Sequence, residues 1–287
     1  AGGMHMIKTI CPQYIGAKED FYQAAPLIAQ QGYFQGYYSF EPEADTAQGA
    51  CKTAALLQEY GLQPVGFRVP VDISQPEIDF PAALEQFAPT LYTAAACGYR
   101  GALTWIMPGC NTMPVQQYQD MLIGRLERLC KMLEEYGIPL GIEMVAPRTL
   151  QQQYRYPAPC RTEDLLTLIE RVGQSGLGII LDSFHFYCAG HTPEEYMLIN
   201  RPEQIVMVHI SDGVAGRSAE EQQDLDRRLP GENGSAACHI MMEWLQKIGY
   251  QGAVIPEPLD KRLSDLPLDI ALKCAANAVQ SVWPPKQ

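Results

Sequence analysis

Short apolar runs alternate with longer stretches of helical periodicity along the whole chain. The runs end at glycine, proline or a polar residue, and several are apolar throughout, which is typical of parallel strands covered on both faces. The pattern predicts eight strands, at Met6–Cys11, Tyr33–Phe40, Leu62–Val69, Ala102–Met107, Pro139–Val145, Gly176–Asp182, Ile205–Ile210 and one that starts at Ala253–Ile255.

Apolar residues recur at helical spacing between these strands, and several of the predicted helices end at a glycine. Thr192-Pro-Glu-Glu is a capping box with proline at the first helical position. Residues 146–161 and 211–234 are predicted loops, the first because of its prolines. The predicted helices are Asp20–Gln31, Ala44–Tyr60, Phe80–Cys97, Val115–Tyr136, Thr162–Val172, one that starts at Thr192, Ala236–Ile248 and Leu266–Val282.

Eight strand–helix units without a break in composition predict a single (β/α)₈ TIM barrel that spans residues 1–287. An open doubly wound sheet is the alternative, but no G-x-G-x-x-G follows the first strand. We expect Ala1–Gly3, which precede Met4, to be a remnant of cloning.

The net charge of −12 at pH 7 argues against a nucleic-acid-binding face and against an anionic membrane surface. Nine cysteines occur without a C-x-x-C pair, which favours reduced thiols and a cytoplasmic location. We see no signal-like opening and no apolar run of transmembrane length. The expected partner is therefore a small molecule.

The last four predicted strands each carry an acid or a histidine near the carboxyl end. These are Glu143, Asp182, His209 and Glu257. Parallel strands of a barrel end at one rim, where barrel enzymes place their active sites, so we expect the four side chains to converge. Taken singly, each has an ordinary structural explanation; Asp182, for example, could cap the next helix.

Three converging carboxylates repel one another, and no lysine on these strands neutralises them. A divalent cation resolves the repulsion. Oxygen donors with one imidazole suit Mn²⁺, which we favour, with Mg²⁺, Co²⁺, Fe²⁺ or Zn²⁺ as alternatives.

The series Glu…Asp-x-x-His…His-x-x-Asp…Glu resembles the xylose isomerase-like (β/α)₈ superfamily of sugar phosphate isomerases and epimerases. Its most specific parts are Leu181–His185, Val208–Asp212 and the loop Arg227–Gly234, which is similar to the superfamily's Arg-x-x-Pro-Gly-x-Gly. The resemblance implies one divalent metal on the four residues at the strand ends, and Glu143 and Glu257 as the acid/base pair.

The resemblance also implies that His185 and a loop arginine hold substrate oxygens. Spacing to Pro230 selects Arg227, but an extra residue in the loop leaves Arg228 equally favoured, and Arg217 is a weaker candidate. From its place near a strand end, Trp105 could stack on a sugar face or fill a barrel layer. Further weak candidates near strand ends are Tyr14 and Tyr38.

One departure from the superfamily bears on the reaction. Ketose epimerases have a second glutamate shortly after the first metal ligand, whereas here Glu143 is followed by Met-Val-Ala-Pro-Arg-Thr149. Arg148 could meet an anionic substrate or lie on the surface. The superfamily also includes an endonuclease branch, whose three-metal site needs more histidines than the five present here.

The expected function is a metal-dependent isomerase or epimerase of a small sugar, sugar phosphate or polyol-derived ketone. A metal-dependent dehydratase or other lyase of a keto-sugar is the first alternative, because it shares the same enediolate. A non-catalytic carbohydrate-binding barrel with a structural metal is the second. Homo-oligomers are common in the superfamily and are expected here.

Overall fold

The computed structural model describes residues 5–40 and 47–286, and its centre is a closed barrel of eight parallel strands. Each strand pairs with the strands before and after it in the chain, and the first pairs with the last. This confirms the predicted (β/α)₈ fold. The barrel strands are β1 Ile7–Ile10, β2 Gly36–Ser39, β3 Gln63–Arg68, β4 Ala102–Ile106, β5 Leu140–Met144, β6 Leu177–Asp182, β7 Ile205–Ile210 and β8 Ala253–Pro256.

The helices pack around the outside of the barrel. Within the described ranges they are α1 Phe21–Gln31, α2 Ala47–Glu59, α3 Phe80–Ala96, α4 Val115–Glu134, α5 Arg148–Gln151, α6 Thr162–Val172, α7 Ser183–Cys188, α8 Pro193–Tyr196, α9 Cys238–Ile248, α10 Lys261–Ser264 and α11 Leu268–Val282. Residues 44–46 of the predicted second helix lie outside the described residues. In the part of the chain that the structure describes, no helix has the length and apolar character needed to cross a membrane.

The prediction that residues 146–161 contain no regular element is wrong. Helix α5 begins directly after Pro147, and Tyr156–Pro157 pairs antiparallel with Gly109–Cys110. Both prolines occupy positions where their missing N–H costs little, because Pro147 is the residue before a helix and Pro157 lies in a two-stranded ribbon outside the barrel. Helix α7 follows β6 without an intervening loop and is not among the predicted helices, although the possible capping role of Asp182 pointed to it.

Two apolar layers hold the barrel together. Inside it, side chains such as Tyr38, Leu103, Ile180 and Met207 fill the space between the strands. The larger layer lies between the strands and the surrounding helices. Because successive strand residues face opposite layers, a strand residue near the carboxyl end points either into the mouth of the barrel or toward a helix.

Gly141 on β5 faces the crowded interior of the barrel. A Cβ added there would overlap the Ile180 side chain and lie 2.9 Å from Val206 Cβ. We expect Gly141→Ala to lower the free energy of unfolding by about 1–3 kcal/mol through overpacking.

Gly124 on α4 provides the matched control, because an added Cβ meets nothing within 4 Å. Gly124→Ala should raise the free energy of unfolding by about 0.5–1 kcal/mol, since alanine is the better helix former. Denaturant unfolding of both variants measures the difference. Equal stability of the two variants would contradict the described packing.

Candidate metal centre and active site

Four consecutive strands bring Glu143, Asp182, His209 and Glu257 to one point at the carboxyl-terminal mouth of the barrel. One donor atom from each residue lies within 4.8 Å of the others, and all four residues are buried. His209 Nδ1 is 3.0 Å from Glu143 Oε2, 2.7 Å from Glu257 Oε2 and 3.8 Å from Asp182 Oδ2. The register of the strands helps to bring these side chains together, since Asp182 and His209 are partners across β6 and β7.

The two oxygens of Asp182 have different environments. Oδ1 accepts hydrogen bonds from the backbone N–H groups of Phe184 and His185 at 2.8 and 3.3 Å, so it caps α7. Oδ2 instead faces the other members of the cluster. The helix-capping and cluster explanations of Asp182 therefore hold together, because the cap orients the second oxygen.

The polar atoms of the cluster themselves indicate a cation site, independently of any resemblance to other proteins. Glu143 Oε2, Glu257 Oε2 and both ring nitrogens of His209 are buried. Although His209 Nδ1 lies within 3.0 Å of both oxygens, none of these atoms has a partner in good hydrogen-bond geometry among the described residues. Buried polar atoms left without partners are costly, and here they converge on one point. Hard oxygen donors with one imidazole suit a divalent cation.

The electrostatics of the cluster depend on its histidine. Burial lowers the pKa of His209, but the carboxylates of Glu257 and Glu143 outweigh burial and raise that pKa to about 10. Burial raises the pKa of Glu143, yet His185 and His209 hold it well below its usual range. Burial raises the pKa of Asp182 to about 6. At neutral pH a proton on His209 therefore offsets part of the negative charge.

His185 lies beside the cluster, and a backbone contact fixes its tautomer. Its Nδ1 accepts a hydrogen bond from the Ala146 N–H at 3.2 Å. Burial lowers the pKa of His185, and Asp182 and Glu143 more than reverse this, but a proton on Nδ1 has to break the Ala146 bond. In the neutral ring the proton then lies on Nε2, which is 3.5 Å from the acceptor Glu143 Oε1. Nε2 is also 3.3 Å from Arg227 Nη2, a donor with which a protonated Nε2 makes no hydrogen bond.

Arg227 is the loop arginine that reaches the cluster. Its Nη1 lies 3.3 Å from both Asp182 Oδ2 and Glu257 Oε2, and its Nη2 donates to Asp224 Oδ1 at 2.9 Å. The side chain is 2% exposed, and its guanidinium lies over the Phe184 ring. Of the two adjacent arginines that spacing left open, the structure thus brings Arg227 to the site.

The structure places Arg228 and Arg217 away from the cluster. Arg228 contacts Asp226, Glu232 and Asp260, and Arg217 pairs with Asp226 at 2.8 Å. Neither lines the cavity in front of the cluster. Adjacent residues in an extended segment point to opposite sides, so only one of Arg227 and Arg228 can face the barrel.

Asp212 anchors the long loop that carries Arg227. Its backbone pairs with that of Arg228, and its carboxylate accepts hydrogen bonds from the N–H groups of Asn233, Gly234 and Ala236 at 2.9–3.2 Å. The fully buried Gln222 bonds both backbone groups of Val214 within the same loop. The acid of His-x-x-Asp therefore holds the loop in place, a role that the motif alone did not indicate.

A cavity of about 270 Å³ opens in front of the cluster. Glu143, Glu257 and Arg227 line its inner end, and Trp105, which pairs with Glu143 across β4 and β5, lines its wall. Further lining residues are Tyr14, Phe40, Arg68, Leu103, Met107, Val145, Asp224, Leu225 and Leu259.

The remaining candidates divide between the cavity and its surroundings. Tyr14 reaches the cavity and also packs edge-on against the His209 ring, with centroids 5.4 Å apart. Tyr38 packs against the same ring from inside the barrel. Arg148 lies 3.9 Å from Glu220 and is not among the lining residues. Arg68, which lines the cavity, was not predicted from the sequence. It is the last residue of β3, and a polar residue at a strand end is the signal that identified the cluster residues.

The sequence and fold both match known proteins. A family model described as xylose isomerase-like TIM barrel matches residues 31–276. An inosose isomerase from Halalkalibacterium halodurans (strain C-125) is 25% identical over 189 residues, which cover 61% of this chain and 62% of that protein. The match thus spans about three-fifths of the relative's length.

Solved structures extend the likeness over nearly the whole chain. A xylose isomerase domain protein from Alicyclobacillus acidocaldarius has a TM-score of 0.81 at 23% identity, covering 96% of this chain and 98% of that one. The IolI protein with a bound zinc atom has a TM-score of 0.78 at 18% identity, with the same coverage of both chains. At these identities the structures show a shared fold, and with the family match they lead to one conclusion: the chain belongs to the xylose isomerase-like TIM-barrel family.

Proposed function

We propose that the chain is a divalent-metal-dependent isomerase or epimerase of a small sugar or polyol-derived ketone. The observation that carries the proposal is that Glu143 and Glu257 both lie within 3.0 Å of His209 Nδ1, at the inner end of the cavity. Two carboxylates that flank one substrate position can remove a proton and return it elsewhere. The curated relative named an inosose isomerase supports a cyclic or linear keto-polyol as substrate.

The proposed cofactor is one divalent ion held by Glu143, Asp182, His209 and Glu257. We favour Mn²⁺ on the donor set, and Zn²⁺ is the principal alternative because the IolI structure contains zinc. When bound, such an ion supplies positive charge that stabilises the negative charge developing on substrate oxygens.

The side chains around the cavity transfer the protons and hold the substrate oxygen. Glu257 or Glu143 takes the proton from the carbon next to the carbonyl, and the opposite glutamate returns a proton. Return to the other face of the same carbon gives an epimer, and return to the adjacent carbon gives an isomer. His185 donates its Nε2 proton in a hydrogen bond to a substrate oxygen and so favours the enediol form.

Arg227 and the cavity wall provide the electrostatic setting. Arg227 touches Asp182 and Glu257 at 3.3 Å, so its charge limits the repulsion between the carboxylates. The aromatic and aliphatic wall excludes water, which strengthens every charge interaction at the inner end.

A lyase is the second candidate. Val145 lines the cavity, and no acid occurs between Glu143 and Thr149, the segment where ketose epimerases carry a further glutamate. Loss of a β-hydroxyl from the same intermediate uses the same pair of groups: one glutamate takes the proton from carbon, and the other protonates the departing hydroxyl, which leaves as water. The two reactions give different products, so the exchange experiment described next separates them.

Replacing either glutamate by glutamine should lower turnover by about 10²–10⁴-fold, because the amide cannot accept the substrate proton. The measurement is deuterium uptake at carbon in D₂O, followed by NMR, for metal-loaded Glu143→Gln and Glu257→Gln. An alkene or enone signal in the wild-type reaction assigns the lyase instead.

The control for this pair is Glu127→Gln, which removes an exposed carboxylate paired with Lys131 on α4. It should retain wild-type exchange. Metal content of each variant is measured in parallel, because both site glutamates are also proposed ligands. A near-wild-type exchange rate in either site variant contradicts the two-carboxylate scheme.

Metal loading should release a proton from His209. Its raised pKa, about 10, means that the ring is protonated below that pH, whereas a metal ligand must be neutral. Between about pH 7 and pH 9 the apparent affinity for Mn²⁺ should therefore rise about tenfold per pH unit. Calorimetric titration in buffers of different ionisation enthalpy counts the released protons.

His239→Gln is the matched control for His209→Gln, because His239 is exposed on α9. The control should keep both affinity and proton release. The His209 variant should bind Mn²⁺ more weakly and release no proton on loading. An affinity that does not change with pH in the wild type refutes His209 as the protonated ligand.

A further inference from the structure

Asp224 is a carboxylate of the cavity wall that does not belong to the ligand cluster. It lies in the long loop between β7 and α9, three residues before Arg227. Among the described residues, the carboxylates that line the cavity are those of Glu143, Glu257 and Asp224, and the first two are proposed metal ligands. The Asp224 side chain is 23% exposed, compared with 2% for Arg227, so it lies at the boundary between the buried cluster and the cavity.

Hydrogen bonds from Arg227 hold Asp224 in position. The guanidinium donates from Nε to the backbone oxygen of Asp224 at 2.7 Å and from Nη2 to Oδ1 at 2.9 Å. Arg227 itself contacts Asp182 and Glu257, so Asp224 is connected to the cluster through it. The fully buried Gln222, two residues earlier, makes hydrogen bonds within the preceding part of the loop. Asp224 is therefore an oriented group of the wall and not a free surface acid.

The two oxygens of Asp224 differ in their contacts. Oδ1 accepts the hydrogen bond from Arg227 and lies 3.8 Å from His185 Nε2. Oδ2 has no hydrogen-bond or ion-pair partner within residues 5–40 and 47–286. An ionised carboxylate only accepts hydrogen bonds, so a ligand has to bring a donor to it. Since Arg227 already balances the charge of Asp224, neutral hydroxyl groups suit this position better than an ammonium group.

Much of the remaining wall gives hydroxyl groups no partner. Apolar side chains such as Phe40, Leu103 and Met107 come from β2 and β4 or from the residue directly after each strand. A hydroxyl that faces them loses water without gaining a hydrogen bond. A bound polyol therefore directs its hydroxyls toward the side formed by β5, β8 and the loop after β7. With Glu143 and Glu257 on the metal, the carboxylate left for those hydroxyls in the described part of this wall is that of Asp224.

We propose that Asp224 determines substrate specificity: its Oδ2 accepts hydrogen bonds from substrate hydroxyls remote from the enolisable carbonyl, so that the site selects polyhydroxylated ketones. Asp224 binds the substrate in this scheme and takes no part in the proton transfer. The inference rests on the proposed function, because that function sets which end of the substrate faces the cluster.

The test uses pairs of ketones that share the carbonyl and its adjacent hydroxyl and differ in the remote hydroxyls. An inosose is compared with 2-hydroxycyclohexanone, and D-fructose is compared with 1-hydroxyhexan-2-one. Ligand-observed NMR titration of Mn²⁺-loaded protein gives each affinity, because the bound ion broadens the ligand signals. Measuring wild type and Asp224 variants with both members of a pair forms a double-mutant cycle between the side chain and the remote hydroxyls.

Asp224→Ala should weaken binding of the polyhydroxylated ketone of at least one pair by about 10- to 100-fold, the range of a hydrogen bond to a charged group, and leave its partner ketone unchanged. Asp224→Asn keeps an oxygen for Arg227 but lacks the charge, so it should show a smaller loss of the same kind. Asp226→Asn is the matched control, because Asp226 pairs with Arg217 and Arg228 and is not among the lining residues. The control should change neither affinity.

An equal loss for both ketones of each pair contradicts the assignment, because it shows that Asp224 only positions Arg227. Unchanged affinities in both Asp224 variants, a matching loss in the Asp226 control, or no binding of either polyhydroxylated ketone to the wild type also contradict it. Deuterium exchange at carbon, measured separately on the wild type, distinguishes failure of the proposed function. Coupling without exchange refutes that function alone, and exchange without coupling refutes the role of Asp224 alone.

Discussion

Repulsion among three buried carboxylates is the constraint on which the site depends. Glu143, Asp182 and Glu257 lie around one imidazole in a place from which water is largely excluded. Such an arrangement is unstable unless positive charge accompanies it. The guanidinium of Arg227 provides part of that charge. A proton on His209 provides more of it, and a divalent cation would take the place of that proton.

The barrel makes this arrangement possible because it holds the strand ends in fixed register. Asp182 shows the connection most clearly, since one oxygen caps α7 and the other faces the cluster. Ser183 and Ser211 join the ends of β6 and β7 through hydrogen bonds of 2.9 and 3.0 Å. Asp212 then anchors the loop that returns Arg227 to the same point. Local hydrogen bonding thus orients groups that would otherwise repel one another.

The sequence predicts the barrel and the convergence of the four cluster residues because both follow from short-range patterns. Apolar runs mark the strands. A polar side chain at the carboxyl end of a strand is expected at the mouth of the barrel, because the other direction would bury it in the apolar layer beneath the helices. It could not decide between Arg227 and Arg228, because a long polar loop has no periodicity and its path depends on contacts such as those of Asp212 and Gln222. Arg68 was overlooked as a lining residue of the cavity because its side chain lies over Phe40 and near Trp105, which are distant in sequence.

The central claim is that the cluster, loaded with a divalent cation, transfers a proton next to a carbonyl. The most direct measurement is NMR of keto sugars and inososes in D₂O with metal-stripped protein before and after Mn²⁺ is added. The account predicts deuterium at a carbon beside the carbonyl, with an isomer or epimer accumulating, only after metal is added. Exchange that is equally fast without metal, or none across the series with metal demonstrably bound, would contradict it.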